Sequence, residues 1–295
     1  MVSLFIPIFI ILLSGFCHSL WNLLAKKSIH KLSFIFSFQL IGFFLFLPWS
    51  LLAFSDIRVT PKSLVILAIT MTAHGFYLFL LSKLYSKSDL SMAYPIIRGT
   101  GPLLLPLIGT LFLHEHLSYW GWLGVGAIII GIFTLCDIRH FTHHKDQIGL
   151  ALLVGLCVSC YILLDKLAMN YAPMVVVNWL STVGNVIMLL PLVWKDHRLK
   201  EEWDANGHTI LAGALLSGLS YMLFLSVLKT GQVAQFVPMR EIGTVFGTLL
   251  GIFILKEKII VATVITGNRS RCGSVLSTPM FPLSKIITPR LGTGG

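Results

Sequence analysis

Apolar runs of about twenty residues recur along the chain, separated by short polar breaks or by proline and glycine. A helix rises about 1.5 Å per residue, so one such run crosses the ~30 Å hydrocarbon core of a bilayer. The pattern predicts helices over 2–24, 33–54, 63–84, 90–113 and 118–136, a polar linker over 137–147, and helices over 148–169, 173–194, 208–229 and 233–255. A tenth begins near Ile259.

Two of these spans carry charge inside. Tyr94–Glu115 reads YPIIRGTGPLLLPLIGTLFLHE, with Arg98 among Pro95, Pro102 and Pro106, and Phe236–Glu257 reads FVPMREIGTVFGTLLGIFILKE. A guanidinium at bilayer depth costs roughly 2.5–3.5 kcal/mol on insertion scales, so a compensating role is required. Arg98/Arg240, Gly101/Gly243, Gly109/Gly251 and Glu115/Glu257 all lie 142 residues apart, while Pro95 and Pro238 lie 143 apart. The unit starts repeat as well. From Leu12 and Leu152, eight of sixteen positions match at an offset of 140, among them Gly15/Gly155, Ser19/Ser159 and Lys26/Lys166. Each unit holds five spans, an odd number, so the second must enter the membrane from the opposite side. The expectation is two inverted repeats, each with a broken, charged helix beside a shared pathway.

Composition agrees. In 295 residues, 56% are hydrophobic, 12% are charged and mean hydropathy is +0.86, whereas a soluble domain carries about 25% charge. The formal charge of +10 sits in short loops and at span ends, where anionic lipid accounts for it without nucleic acid. The first apolar run lacks a basic leader and a small-residue cleavage site, so it reads as a retained span. The five cysteines lie mostly in apolar runs, which argues against a disulfide framework, and Cys157-x-x-Cys160 reads as small buried hydrophobes.

The segments WNLLAK (Trp21–Lys26), DLSMAYPIIRGTGP (Asp89–Pro102) and HEHLSYWGWLGVGAIIIG (His114–Gly131), with VPMREI and LKEK in the second half, resemble an EamA-type carrier of the drug/metabolite transporter superfamily. The likeness covers about residues 1–267. It implies an all-α polytopic membrane protein, a ten-helix bundle of two inverted five-helix repeats. It also implies a central cavity, and alternating access driven by a proton or substrate gradient. The division expected is 1–136 for repeat one, 137–147 for the linker, 148–267 for repeat two and 268–295 for an atypical polar tail. In that tail NRSRCGSVLST replaces the apolar end of the tenth helix, leaving that helix incomplete and reading as a frame shift or truncation scar. The chain is expected in the cell (inner) membrane, as a monomer or homodimer, with a small-molecule substrate, membrane lipid, a proton as candidate coupling ion, and no cofactor or metal. Loop lysines and arginines place the N-terminus outside; the resemblance implies inside.

Arg98 and Arg240 are the leading cavity residues. Glu241 is either a proton site or half of an ion pair, with Arg98 as one partner. Two cations against one anion favour an anionic or zwitterionic solute such as an amino or organic acid. His18, Trp21 and Asn22 on the first span, and Tyr161 at the repeat position of Trp21, are candidates for the lining, as are Tyr77, Tyr94 and Tyr221; His74 and Ser220 are weaker ones. In lipid such groups also bond helix to helix. Gly243, Gly247 and Gly251 form a ladder suited to close helix packing, and Glu115 and Glu257 are expected to pair with neighbouring Lys or His, or to fix turns. One alternative is a membrane metalloenzyme using His140-x-x-His143-His144 with His114 and His116. Another is a channel or scaffold subunit.

Overall fold

The computed structural model describes residues 5–87, 90–134 and 145–255, and among these every regular element is helical. The first set is α1 (Phe5–Lys27), α2 (Lys31–Leu52), α3 (Pro61–Lys87), α4 (Leu90–Phe112) and α5 (Tyr119–Thr134). The second is α6 (Lys145–Ala168), α7 (Met174–Asp196), α8 (Leu199–Thr230), α9 (Val233–Arg240) and α10 (Ile242–Leu255). By length and composition α1, α2, α3, α6, α7 and α8 are each able to cross a membrane, and α4 and α5 contribute shorter apolar stretches. The protein is a polytopic helical membrane protein. Large side chains such as Phe9, Phe44, Leu64 and Trp194 remain exposed on the outer surface, where a bilayer rather than water is the fitting solvent.

The packing partners reveal the two-fold relation. Helix α1 packs on α8, and its repeat mate α6 packs on α3; α3 packs on α7, and α8 on α2; α4 packs on α6, and α10 on α1. Helices α2 and α7 meet across the axis, with the Trp179 ring stacked on Phe43 at 5.4 Å and its Nε1–H donating to the Phe43 carbonyl at 3.2 Å. Exchanging the halves maps these contacts onto one another, and α2–α7 onto itself, as two related bundles require.

Glycine sets the tightest seams. A Cβ on Gly184 would overlap the Met71 carbonyl oxygen, and one on Gly75 would overlap the Gly184 carbonyl, so α3 and α7 touch backbone to backbone. Gly243 meets Gly15 in the same way, a Cβ there falling 3.0 Å from the Gly15 oxygen, and Gly247 lies against Ser19. These two members of the predicted ladder serve packing, while the surroundings of Gly251 lie outside the described set.

Three expectations need revision or fall outside the described residues. The second charged span is broken, into α9 and α10 at Glu241, but α4 is one continuous helix despite its three prolines. The copy with one residue fewer between proline and arginine takes a tighter step: Glu241 N–H donates to Pro238 O at 3.0 Å and Thr244 N–H to Glu241 O at 2.8 Å, both three residues back. Helix α8 starts at Leu199, nine residues before the expected 208, and bends at Asn206 (φ −130°, ψ 20°). Its extra turns are held by polar groups that an apolar-run reading skips: Glu202, fully buried, accepts the His30 N–H at 2.5 Å and Asn206 Nδ2–H at 2.8 Å, and Trp203 Nε1–H donates to Ser37 Oγ at 2.8 Å. The tenth helix, the linker histidines and the tail lie outside the described residues.

Candidate functional site

A cavity of about 230 Å³ lies on the axis, walled by α1–α4 from one half and α6–α10 from the other. This is room for several waters or one small solute. Of the residues expected to line it, His18, Trp21, Asn22, Tyr77, Tyr161, Tyr221, Arg240 and Glu241 all do. The side chains of Tyr94 and Arg98 lie outside the described set, which leaves an Arg98–Glu241 pair untested.

The half-buried Arg240 enters the cavity from the end of α9, with its guanidinium carbon 4.2 Å over the Phe224 ring and 5.7 Å from the Tyr221 ring centre. Aromatic faces offset part of the cost of a cation at this depth. On α1, Trp21 Nε1–H donates to His18 Nδ1 at 3.3 Å and Asn22 Nδ2–H to the His18 carbonyl at 2.6 Å, so these neighbours hold one another in place. Ser220 serves helix packing: its hydroxyl donates to Ser14 O at 2.9 Å and Ser14 returns the bond at 2.8 Å.

Beside the cavity sits a group the sequence reading missed. Asp165, fully buried on α6, accepts from Thr70 Oγ1 at 2.8 Å, from His74 Nε2 at 2.9 Å and from the Tyr221 hydroxyl. Its donors come from α3 and α8, and the His74 ring lies 4.1 Å from that of Tyr161. A buried carboxylate survives only with such saturation of its oxygens. Next to Lys166, Asp165 resembles ordinary span-end charge, which hid it. The second omission is a polar face on α7. Asn178, Ser181, Thr182 and Asn185 line the cavity at i, i+3, i+4 and i+7, a helical spacing readable in the sequence.

Where α4 meets α5, Glu115 closes one end of the bundle. It pairs with Lys166 at 2.9 Å and accepts the Val233 and Ala234 N–H groups at 3.0 and 2.8 Å, capping α9. Lys166 also donates to Gly231 O at 2.8 Å. This is the pairing role expected of it; Glu257 lies outside the described residues. His114 and His116 are in the exposed α4–α5 loop. Among the described residues no group of three His, Cys, Asp or Glu could hold a metal ion, and His140, His143 and His144 lie outside them.

Comparison with known proteins meets this geometry from another direction. A stretch of 67 residues, 22% of this chain, is 45% identical to the probable 4-amino-4-deoxy-L-arabinose-phosphoundecaprenol flippase subunit ArnE of Aeromonas hydrophila and 46% identical to that of Aeromonas salmonicida, covering 57% of each. The uncharacterized membrane protein YvaE of Bacillus subtilis is 36% identical over 67 residues, 23% of this chain and 56% of that protein. The chain thus spans little more than half the length of these relatives. The profile of the EamA-like transporter family matches twice, over residues 5–136 and 147–278, and both pairs of boundaries are 142 apart (147 − 5 and 278 − 136). That is the offset at which the charged helices repeat, and the two matches cover most of the 295 residues: the chain belongs to the EamA-like transporter family.

Proposed function

We propose that the protein is a secondary-active carrier of the cell (inner) membrane that moves a small anionic or zwitterionic metabolite by alternating access. The observation that carries the reading is Arg240, a cation projecting into a cavity shared by two inverted halves. The substrate carboxylate takes the guanidinium. The Glu115–Lys166 pair, bridging α6 and α9 at one end, is the contact that opens when the halves rock. A proton is the coupling ion proposed, and Asp165 with His74 is a better candidate for its site than Glu241, because His74 lines the cavity while holding the sealed carboxylate behind it. The reading predicts saturable carboxylate uptake into proteoliposomes under an imposed proton gradient. Arg240→Ala is expected to abolish it, and Asp165→Asn to remove its dependence on the gradient. Uptake of cationic dyes in preference to carboxylates would overturn the proposal.

The relatives favour a second reading. ArnE is named as a flippase subunit for an amino-sugar-bearing polyprenyl phosphate, so this chain would act on a lipid-linked solute within an assembly. Transbilayer movement of a lipid-linked amino sugar in vesicles, with no uptake of free acids, would select it.

A further inference from the structure

Helix α7 presents four polar side chains to the cavity, and two of them are unspent. The Ser181 and Thr182 hydroxyls donate to the Asn178 carbonyl at 2.7 and 3.1 Å, but neither the Asn178 nor the Asn185 carboxamide has a hydrogen-bond partner among the described residues. Asn178 Nδ2 and Asn185 Oδ1 are sealed from solvent and unpaired, in cavity-lining residues only 3% and 8% exposed, so each carboxamide has to turn to bring that atom to a solute. Each such orphan carries a desolvation cost that a hydrogen-bond partner would offset, and a bilayer-spanning helix has no structural use for it.

The fold itself does not ask for them. Helix α2 is the repeat mate of α7, and at an offset of 143 its cavity residues Ile35, Phe38, Gln39 and Gly42 correspond to Asn178, Ser181, Thr182 and Asn185. The same offset superposes the internal prolines Pro48 and Pro191. The architecture is satisfied by a mostly apolar face at these positions, so the asparagines answer to something inside the cavity.

Resting on the reading of this cavity as the solute path, we infer that α7 is the recognition stripe for the uncharged part of the solute, and that this part is a chain of hydroxyl-bearing carbons. The substrate class is a polyhydroxylated carboxylate, its acid group on Arg240 and its hydroxyls along Asn178 and Asn185. Seven residues separate the two carboxamides, about 10.5 Å along the helix, too far for one amide or one hydroxyl to serve both. A hydroxyl both donates and accepts, so it satisfies a carboxamide turned either way. A simple fatty acid would leave both orphaned.

The test uses the purified full chain in detergent, with D-gluconate and hexanoate as probes of equal carbon number and charge, read by thermal shift. Gluconate is expected to stabilise the protein at concentrations about tenfold below those needed for hexanoate. Asn178→Leu and Asn185→Leu should erase that difference by raising the gluconate concentration needed about tenfold, and should leave the unliganded melting point level or higher, since an unpaired polar group has been replaced by an apolar one. Asn185→Ser serves where leucine disturbs folding, and should reduce the gluconate advantage. Equal shifts by both probes in the unaltered protein would overturn the inference while leaving the carboxylate reading intact; no shift with either would overturn both. A gluconate advantage that persists in the variants, or an Asn185→Ser protein that also melts lower without ligand, would assign the residues to packing instead.

Discussion

Helices α2 and α7 occupy equivalent places on either side of the cavity, yet one shows it isoleucine, phenylalanine and a single glutamine while the other shows two asparagines, a serine and a threonine. The contrast extends to their neighbours. Asp165 on α6 corresponds to the buried Ala25 on α1 at the offset of 140, and His74 on α3 to Ser217 on α8 at 143, so the charged cluster has no counterpart in the other lobe. What the halves share is shape: matched glycines such as Gly15/Gly155 and Gly101/Gly243, matched prolines and corresponding helix contacts. Symmetric residues therefore build the frame, and the buried carboxylate cluster and the polar stripe are present in one copy only.

The largest effect should come from the polar lobe. Asp165→Ala removes the acceptor shared by Thr70, His74 and Tyr221, and breaking a buried pair from one side costs about 3–5 kcal/mol. The melting point of the purified protein should fall by many degrees. A loss within about 0.5 kcal/mol, the range of an ordinary surface substitution, would mean that the cluster is not what holds α3, α6 and α8 together.

Much of this frame was legible beforehand, and the reason is physical. Bilayer thickness fixes span length, so apolar runs placed α1 to α7 to within about three residues at each end, and the offsets of 140 and 142 located the repeat. Eight of the ten proposed cavity residues line the cavity because an aromatic or charged group inside a span has few other affordable places. Asp165 escaped because adjacency to Lys166 made it resemble an interfacial charge, and its partners on α3 and α8 are 91 and 56 residues away. The α7 stripe escaped for a different reason: its residues are individually mild, and only their common helical face marks them. The break at Glu241 turned on one residue of spacing, below what a repeat alignment resolves into geometry.

Shape can be tested against chemistry on the same two helices. Gly184→Ala drives a methyl into the Met71 carbonyl, whereas a Cβ at Gly42 finds nothing closer than the Thr182 methyl at 3.7 Å. Overpacking costs about 1–3 kcal/mol at the first site; Gly42→Ala should be neutral or slightly stabilising, since alanine is the better helix former. Equal tolerance at both would show that the α3–α7 seam is looser than a backbone contact. Glu115→Gln comes next. The amide keeps one acceptor for the α9 N-terminus but loses the charge facing Lys166, itself 24% exposed, so about 1 kcal/mol is expected, with more of it lost at low salt than at high salt.

The smallest expected effect separates the lobes most directly. Ser217 lines the cavity at the repeat position of His74, but where His74 faces a carboxylate, the position matching Asp165 holds Ala25. Ser217→Ala therefore removes a hydroxyl with no ion to stabilise, and stability should stay within about 0.5 kcal/mol of the unaltered protein. His74→Ala, by contrast, strips a donor from the sealed Asp165 and should cost several times more. Measured side by side in one preparation, the two substitutions share helix position and repeat register, but His74 is buried and Ser217 half-buried. It is therefore a difference larger than the lost ring contacts with Tyr161 and Tyr221 that points to the carboxylate. Similar losses at both positions would place the energetics in the shared frame, and the chemistry assigned to the second half would then have to be sought elsewhere in the cavity wall.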